Sequence, residues 1–185
     1  MKIFALYTNL ELSQKPGWFD NFLKKYEYAY NLHITLIQPR YIEENQTENL
    51  KLKITAFINE NKLDNEDKKL TFNELSMGKE DDGKYTLMLH AKNAGGIVTF
   101  QKKLTELLRQ YDNYVKEPTR EYENNFMPHI TVAVDVEEKN VTEAKSYFSF
   151  NSEILGTITK LILPIVKDVG PEESKDFKNL TMFDI

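Results

Sequence analysis

Two short strings hold the residue types that move protons. His33-Ile34-Thr35-Leu36 and His129-Ile130-Thr131-Val132 repeat one order: imidazole, β-branched aliphatic, hydroxyl, aliphatic. Between them they carry two of the three histidines in 185 residues. In an extended strand, residues i and i+2 share a face. Each string therefore sets an imidazole beside a hydroxyl on one surface and sends Ile34 and Leu36, or Ile130 and Val132, into a core. If the two strands meet across a groove, two imidazoles and two hydroxyls surround one spot. With an ordinary pKa of roughly 6.5, one neutral histidine can take a proton from an attacking oxygen while a protonated one supplies the leaving oxygen. The Thr35 and Thr131 hydroxyls can donate to the non-bridging oxygens of a phosphate as charge builds there. Such chemistry needs no metal and no cofactor. The residues leave open which histidine is base and which is acid.

The elements that must position these groups are readable from hydrophobic spacing. Alternation over 2–9 predicts a strand, and Pro16-Gly17 precedes a helix carrying Phe19, Phe22, Leu23, Tyr26 and Tyr30. The first His-x-Thr strand follows at 32–37 and is expected to break at Pro39. Leu50, Ile54, Phe57 and Ile58 mark a second helix, with Asn45 and Glu48 spaced as a capping box. Leu70, Phe72, Leu75 and Met77 predict a strand, turned by the stretch from Gly78 to Gly83. The order then restarts. Tyr85, Leu87 and Leu89 share one strand face, and a long helix is expected over 95–115, with a polar connection at 116–125. The second His-x-Thr strand lies at 128–134, a helix carries Val141, Ala144, Tyr147 and Phe148, and β-rich segments span 154–166 and 179–185. Each half thus runs strand, helix, His-x-Thr strand, helix, strand. This predicts a single bilobal domain over 1–185, duplicated as roughly 1–78 and 84–166, whose pseudo-twofold axis would bring the motif strands together.

Composition narrows the function classes. A content of 41% hydrophobic and 12% aromatic residues is ample for a core. With 24 basic and 29 acidic residues the net charge is −5, so no general field would hold a DNA duplex or other long nucleic acid. The absence of cysteine excludes disulfides and thiolate chemistry and suits a reducing cytoplasm. Neither a signal peptide nor a membrane span is expected from the sequence. A zinc site using His33 and His129 would want further ligands, and no His/Cys/carboxylate cluster stands at ligand spacing.

Other residues invite a role alongside a plainer one. Arg40 is either a phosphate clamp at the groove or a solvated loop cation. Tyr7, Tyr41 and Phe126, with Trp18, are candidates to stack a base, although most aromatics in any chain are core. His90 lacks the threonine and reads as structural or groove-lining. Asn93-Ala94-Gly95-Gly96 reads equally as an anion-binding helix start or as a plain entry turn. The acidic run Glu121-Tyr122-Glu123 and the stretch from Asp64 to Lys69 read as solvated loops.

The paired motifs, with Pro128 directly before the second and Phe126 just ahead of it, resemble the 2H phosphoesterases, which include the proteins known as 2′-5′ RNA ligases and the cyclic phosphodiesterases. The resemblance extends over the whole chain in length and element order. It implies an α+β fold of two pseudo-symmetric α/β lobes around a central groove, each lobe contributing one His-x-Thr strand. It also implies a metal-independent phosphodiesterase, with His33, His129, Thr35 and Thr131 acting on a 2′,3′-cyclic phosphate or on 2′-5′-linked nucleotides, linear or cyclic, or RNA ends. Some members carry an arginine soon after the second motif. Here Ala133-Val134-Asp135 follows, so a phosphate-binding cation must come from elsewhere. A nucleotide or RNA-end partner, a monomer and a cytoplasmic location are the accompanying expectations. The alternative is a groove that binds an RNA end or nucleotide without turning it over.

Overall fold

Burial alternates along both motif strands, and that alternation fixes their orientation. Ile34 and Leu36 are 1% exposed and Ile130 and Val132 0%, whereas the histidines and threonines between them stay half-buried. Each buried aliphatic contributes about 1.5–3 kcal/mol relative to exposure, and a slip of one residue in either strand would turn its two outward, so the register is strongly specified. The computed structural model describes residues 1–26, 28, 30–148, 153–168 and 170–185. Its elements are β1 (Lys2–Gln14), α1 (Phe19–Lys25), β2 (His33–Ile42), α2 (Thr47–Glu60), β3 (Lys69–Lys79), β4 (Tyr85–Ala91), α3 (Gly95–Leu107), α4 (Thr119–Asn124), β5 (His129–Val136), α5 (Glu138–Ser146), β6 (Ile154–Val166), α6 (Pro171–Lys175) and β7 (Leu180–Asp184).

The strands form one antiparallel sheet in the order β2-β1-β6-β3-β4-β5, with β7 added to β6. Exchanging β1, β2 and β3 for β4, β5 and β6 reverses this order without changing it. The third strand of each half pairs with the first strand of the other: β6 lies against β1, and β3 against β4. At the centre, Ile154–Thr157 of β6 pair with Lys69–Phe72 of β3, and farther along the same edge Lys160–Pro164 pair with β7. Two pseudo-symmetric lobes result, β2-β1-β6-β7 and β5-β4-β3. Strands β2 and β5, at opposite ends of the order, come back into contact, so the sheet closes around a groove with a motif strand on each side. Helices α2 and α3 cover the core through Leu50, Ile54, Phe57, Phe100 and Leu104, with the Phe57 and Phe100 rings 5.2 Å apart edge-to-face.

Several local expectations are corrected. Strand β2 does not break at Pro39 but continues to Ile42. It is an edge strand, a register irregularity falls between Ile37 and Arg40, and a proline lacking N–H is tolerated there. No side chain caps α2; a 3₁₀ turn over Glu44–Gln46 leads into it, with Thr47 Oγ1 donating to the Glu44 carbonyl. Helix α1 ends at Lys25, so Tyr30 is not helical, and α3 ends at Leu107, freeing Tyr111 and Tyr114 to be buried beyond it. The connection at 116–125 contains α4. At the start of α3, Gly96 lies directly against the Asp67 side chain, where a Cβ would clash. That helix end therefore meets the chain's own carboxylate, the partner its partial positive charge favours.

Candidate functional site

Each motif histidine is tied to the main chain in the same way. His33 Nδ1 lies 2.7 Å from the Asn31 carbonyl and His129 Nδ1 2.8 Å from the Met127 carbonyl, each two residues upstream. A carbonyl only accepts, so Nδ1 carries the hydrogen in both rings and Nε2 is left to gain or lose a proton. Burial pushes both imidazoles below the usual histidine pKa; for His129, charges on His90 and His33 push the same way. His33 thus bears on the protonation of His129 across the groove.

His33, Thr35 and Thr131 line one cavity of about 770 Å³, within the roughly 300–1,000 Å³ typical of small-ligand sites. Its floor is the open face of the first lobe: Ile3, Ala5 and Tyr7 of β1, Ile162 and Pro164 of β6, and Met182 of β7. Tyr28, Tyr30 and Phe177 add aromatic walls, and Lys160 and Lys175 are its lysines. Lys160 lies 3.4 Å from the Asp184 carboxylate at the surface. Among the described residues, no three His, Asp or Glu side chains converge as metal ligands, and no helix is long and apolar enough to cross a membrane.

The surroundings of the two imidazoles differ. Asn9 of β1 stands opposite His33, and at the corresponding place in the other lobe His90 of β4 stands opposite His129. The His90 and His129 rings are 5.6 Å apart, and Ser76 Oγ lies 2.5 Å from His90 Nε2. His33 is flanked instead by Tyr7, at 5.0 Å between ring centroids, and Tyr30, at 6.3 Å.

Of the candidates for holding substrate, only Tyr7 lines the cavity. Phe126 packs half-buried against the core, and Tyr41 sits opposite Ile3 in β2, its N–H donating to the Asn113 carbonyl. Trp18 packs among Phe19, Phe22, Tyr147 and Phe148. Arg40 is neither a groove clamp nor a solvated cation. Its side chain is 1% exposed, ion-paired with the buried Glu123, and donates to the Leu108 and Tyr111 carbonyls and to Tyr114 Oη. Glu123, expected in a solvated run, is 3% exposed and also accepts from the Gln38 N–H at 2.8 Å. Gln101 Nε2 lies within reach of both the Leu36 and Glu123 carbonyls. This buried knot fastens β2, just beyond His33 and Thr35, to α4, which ends five residues before His129. It therefore couples the placement of the two motif strands.

A model of the 2′-5′ RNA ligase superfamily matches residues 19–166. No curated protein matches the chain by sequence. Among solved structures, Kluyveromyces marxianus Usb1 superposes with a TM-score of 0.52 at 8% identity, over 99% of this chain and 98% of that one. The same protein with uridine monophosphate gives a TM-score of 0.58 at 14% identity over the same shares. Identities this low speak to the fold alone, and the fold they share is the bilobal one described above.

Proposed function

The chain belongs to the 2′-5′ RNA ligase superfamily, the 2H phosphoesterases, and from that premise we propose that it is a metal-independent phosphodiesterase hydrolysing 2′,3′-cyclic phosphates or 2′-5′-linked nucleotides. The observation that carries this reading is the matched pair of sites: two imidazoles with the same Nδ1-to-carbonyl tether, each beside a threonine, on strands that meet at one cavity. A bound nucleotide in a protein of the same fold is consistent with a nucleotide or RNA end as substrate. We also propose that a duplication of roughly 1–78 and 84–166 is the origin of the palindromic strand order.

In this mechanism the phosphate lies between the imidazoles, with the Thr35 and Thr131 hydroxyls donating to its non-bridging oxygens. We assign the general base to His129. A charge on the adjacent His90 disfavours the protonated form of His129, whereas the Tyr7 and Tyr30 rings beside His33 tolerate an imidazolium. His129 takes the proton of the attacking water, and His33 protonates the departing ribose oxygen. Both histidines favour the neutral form in the free protein, and the arriving phosphodiester anion offsets part of that bias, helping His33 to hold its proton. Product analysis on nucleoside 2′,3′-cyclic phosphates and on 2′-5′ and 3′-5′ dinucleotides tests the proposal. Hydrolysis of at least one of the first two classes is expected. Tight nucleotide binding without turnover would leave a binding protein.

A further inference from the structure

The two ends of the groove differ in charge and polarity. No carboxylate lines the main cavity among its described residues; its floor is apolar, its walls are aromatic, and its charged side chains are Lys160 and Lys175. At Val134, three residues past Thr131, this cavity adjoins a second hollow of about 410 Å³. That hollow is lined by Glu80, Asp81 and Asp82 from the β3–β4 turn, by Asp135 of β5, and by Thr86 and Lys116. Lys84 bridges Asp82 and Asp135 at 3.5 Å each. Four carboxylates thus face Lys84 and Lys116, which leaves the second-lobe end negative.

Resting on the phosphodiesterase reading above, we infer that the groove is built for a small, diffusible nucleotide, of mono- or dinucleotide size, and discriminates against the same linkage at the end of a long RNA. An apolar, aromatic floor accepts a base and sugar but strongly disfavours a desolvated phosphate, and Lys160 at its margin already faces the Asp184 carboxylate at 3.4 Å. The uncharged part of the substrate therefore rests on the first lobe, with its phosphodiester at the four motif residues. A chain continuing past them toward the second lobe would bring further phosphates within a Debye length, about 10 Å at 0.1 M salt, of the carboxylate cluster. The net charge of −5 supplies no compensating attraction.

The test compares kcat/KM for uridine 2′,3′-cyclic phosphate with that for a long single-stranded RNA ending in the same group, in the wild-type protein and in an Asp81→Asn/Asp135→Asn variant. Both side chains are exposed and lie outside the motifs; Asp135 has φ 55°, a conformation asparagine also adopts. The small substrate should be preferred by about tenfold or more at low salt, and the preference should shrink as salt screens the cluster. The variant should gain on the long RNA alone. Equal or faster turnover of the long RNA, or affinity for it that falls steeply with salt as at a basic surface, would overturn the inference. If neither substrate is turned over, the phosphodiesterase proposal fails, and binding of uridine monophosphate against the long RNA still decides this one. Tighter mononucleotide binding supports it; tighter RNA binding, or none of either, refutes it.

Discussion

Replacing Arg40 distinguishes a knot that holds the groove from a clamp that holds substrate. Its guanidinium and the Glu123 carboxylate are 1% and 0% exposed, so removing either leaves the other charged and uncompensated in the interior. Breaking such a pair costs about 3–5 kcal/mol. Arg40→Met also strips the donors from the Leu108 and Tyr111 carbonyls, both bonded at 3.0 Å. For a chain of this size each kcal/mol moves Tm by about 2–4 °C, so each single variant should melt about 6–20 °C lower. The Arg40→Met/Glu123→Gln double variant should lose less than the sum of the singles, because neither charge is then left alone. Thermal and urea melts of the three variants provide the reading, with kcat and KM measured well below each midpoint. A phosphate clamp would give the opposite signature: a large rise in KM for Arg40→Met, little change in stability, and a silent Glu123→Gln. A loss of less than about 2 °C in both single variants would refute the structural role.

The proposed mechanism gives three further expectations. Because burial lowers both motif histidines, kcat/KM, which reports the free protein, should be bell-shaped with its maximum on the acid side of pH 6.5; a profile flat from pH 5 to 8 with chemistry limiting would remove the pair. His90→Asn gives the second lobe the residue type that Asn9 supplies in the first. Taking away the His90 imidazole removes one of the influences that lower the His129 pKa, so the acid limb should move to higher pH while the basic limb stays; movement of the basic limb instead would reverse the assignment of base and acid. Thr35→Val and Thr131→Val should each lower kcat by about tenfold or more, as loss of an oxyanion donor does, and unchanged turnover in both would dismiss the phosphate contacts.

The parts of this molecule visible in the sequence are those governed by short-range periodicity. The i, i+2 alternation at 33–36 and 129–132 identified which side chains face out, and the repeated element order anticipated both lobes. What escaped depends on contacts between distant segments. Glu123 and Tyr122 are neighbours in an apparently solvated run, yet Glu123 is 3% and Tyr122 69% exposed, because α4 docks one face on β2. Pro39 marks a break locally, and only its place on an edge strand lets β2 continue. Tyr28 and Tyr30 reach the cavity because α1 ends early, a stop for which no side-chain cap or glycine gives notice. The pairing of His90 with His129 follows from the β4–β5 register, which one strand's sequence does not encode.

The most direct test of the two-histidine mechanism is hydrolysis of a nucleoside 2′,3′-cyclic phosphate in the presence of EDTA by the wild-type protein and by His33→Ala and His129→Ala. The account predicts turnover that survives the chelator and is lost in each variant while both remain folded. Turnover abolished by EDTA, or retained in either variant, would contradict it.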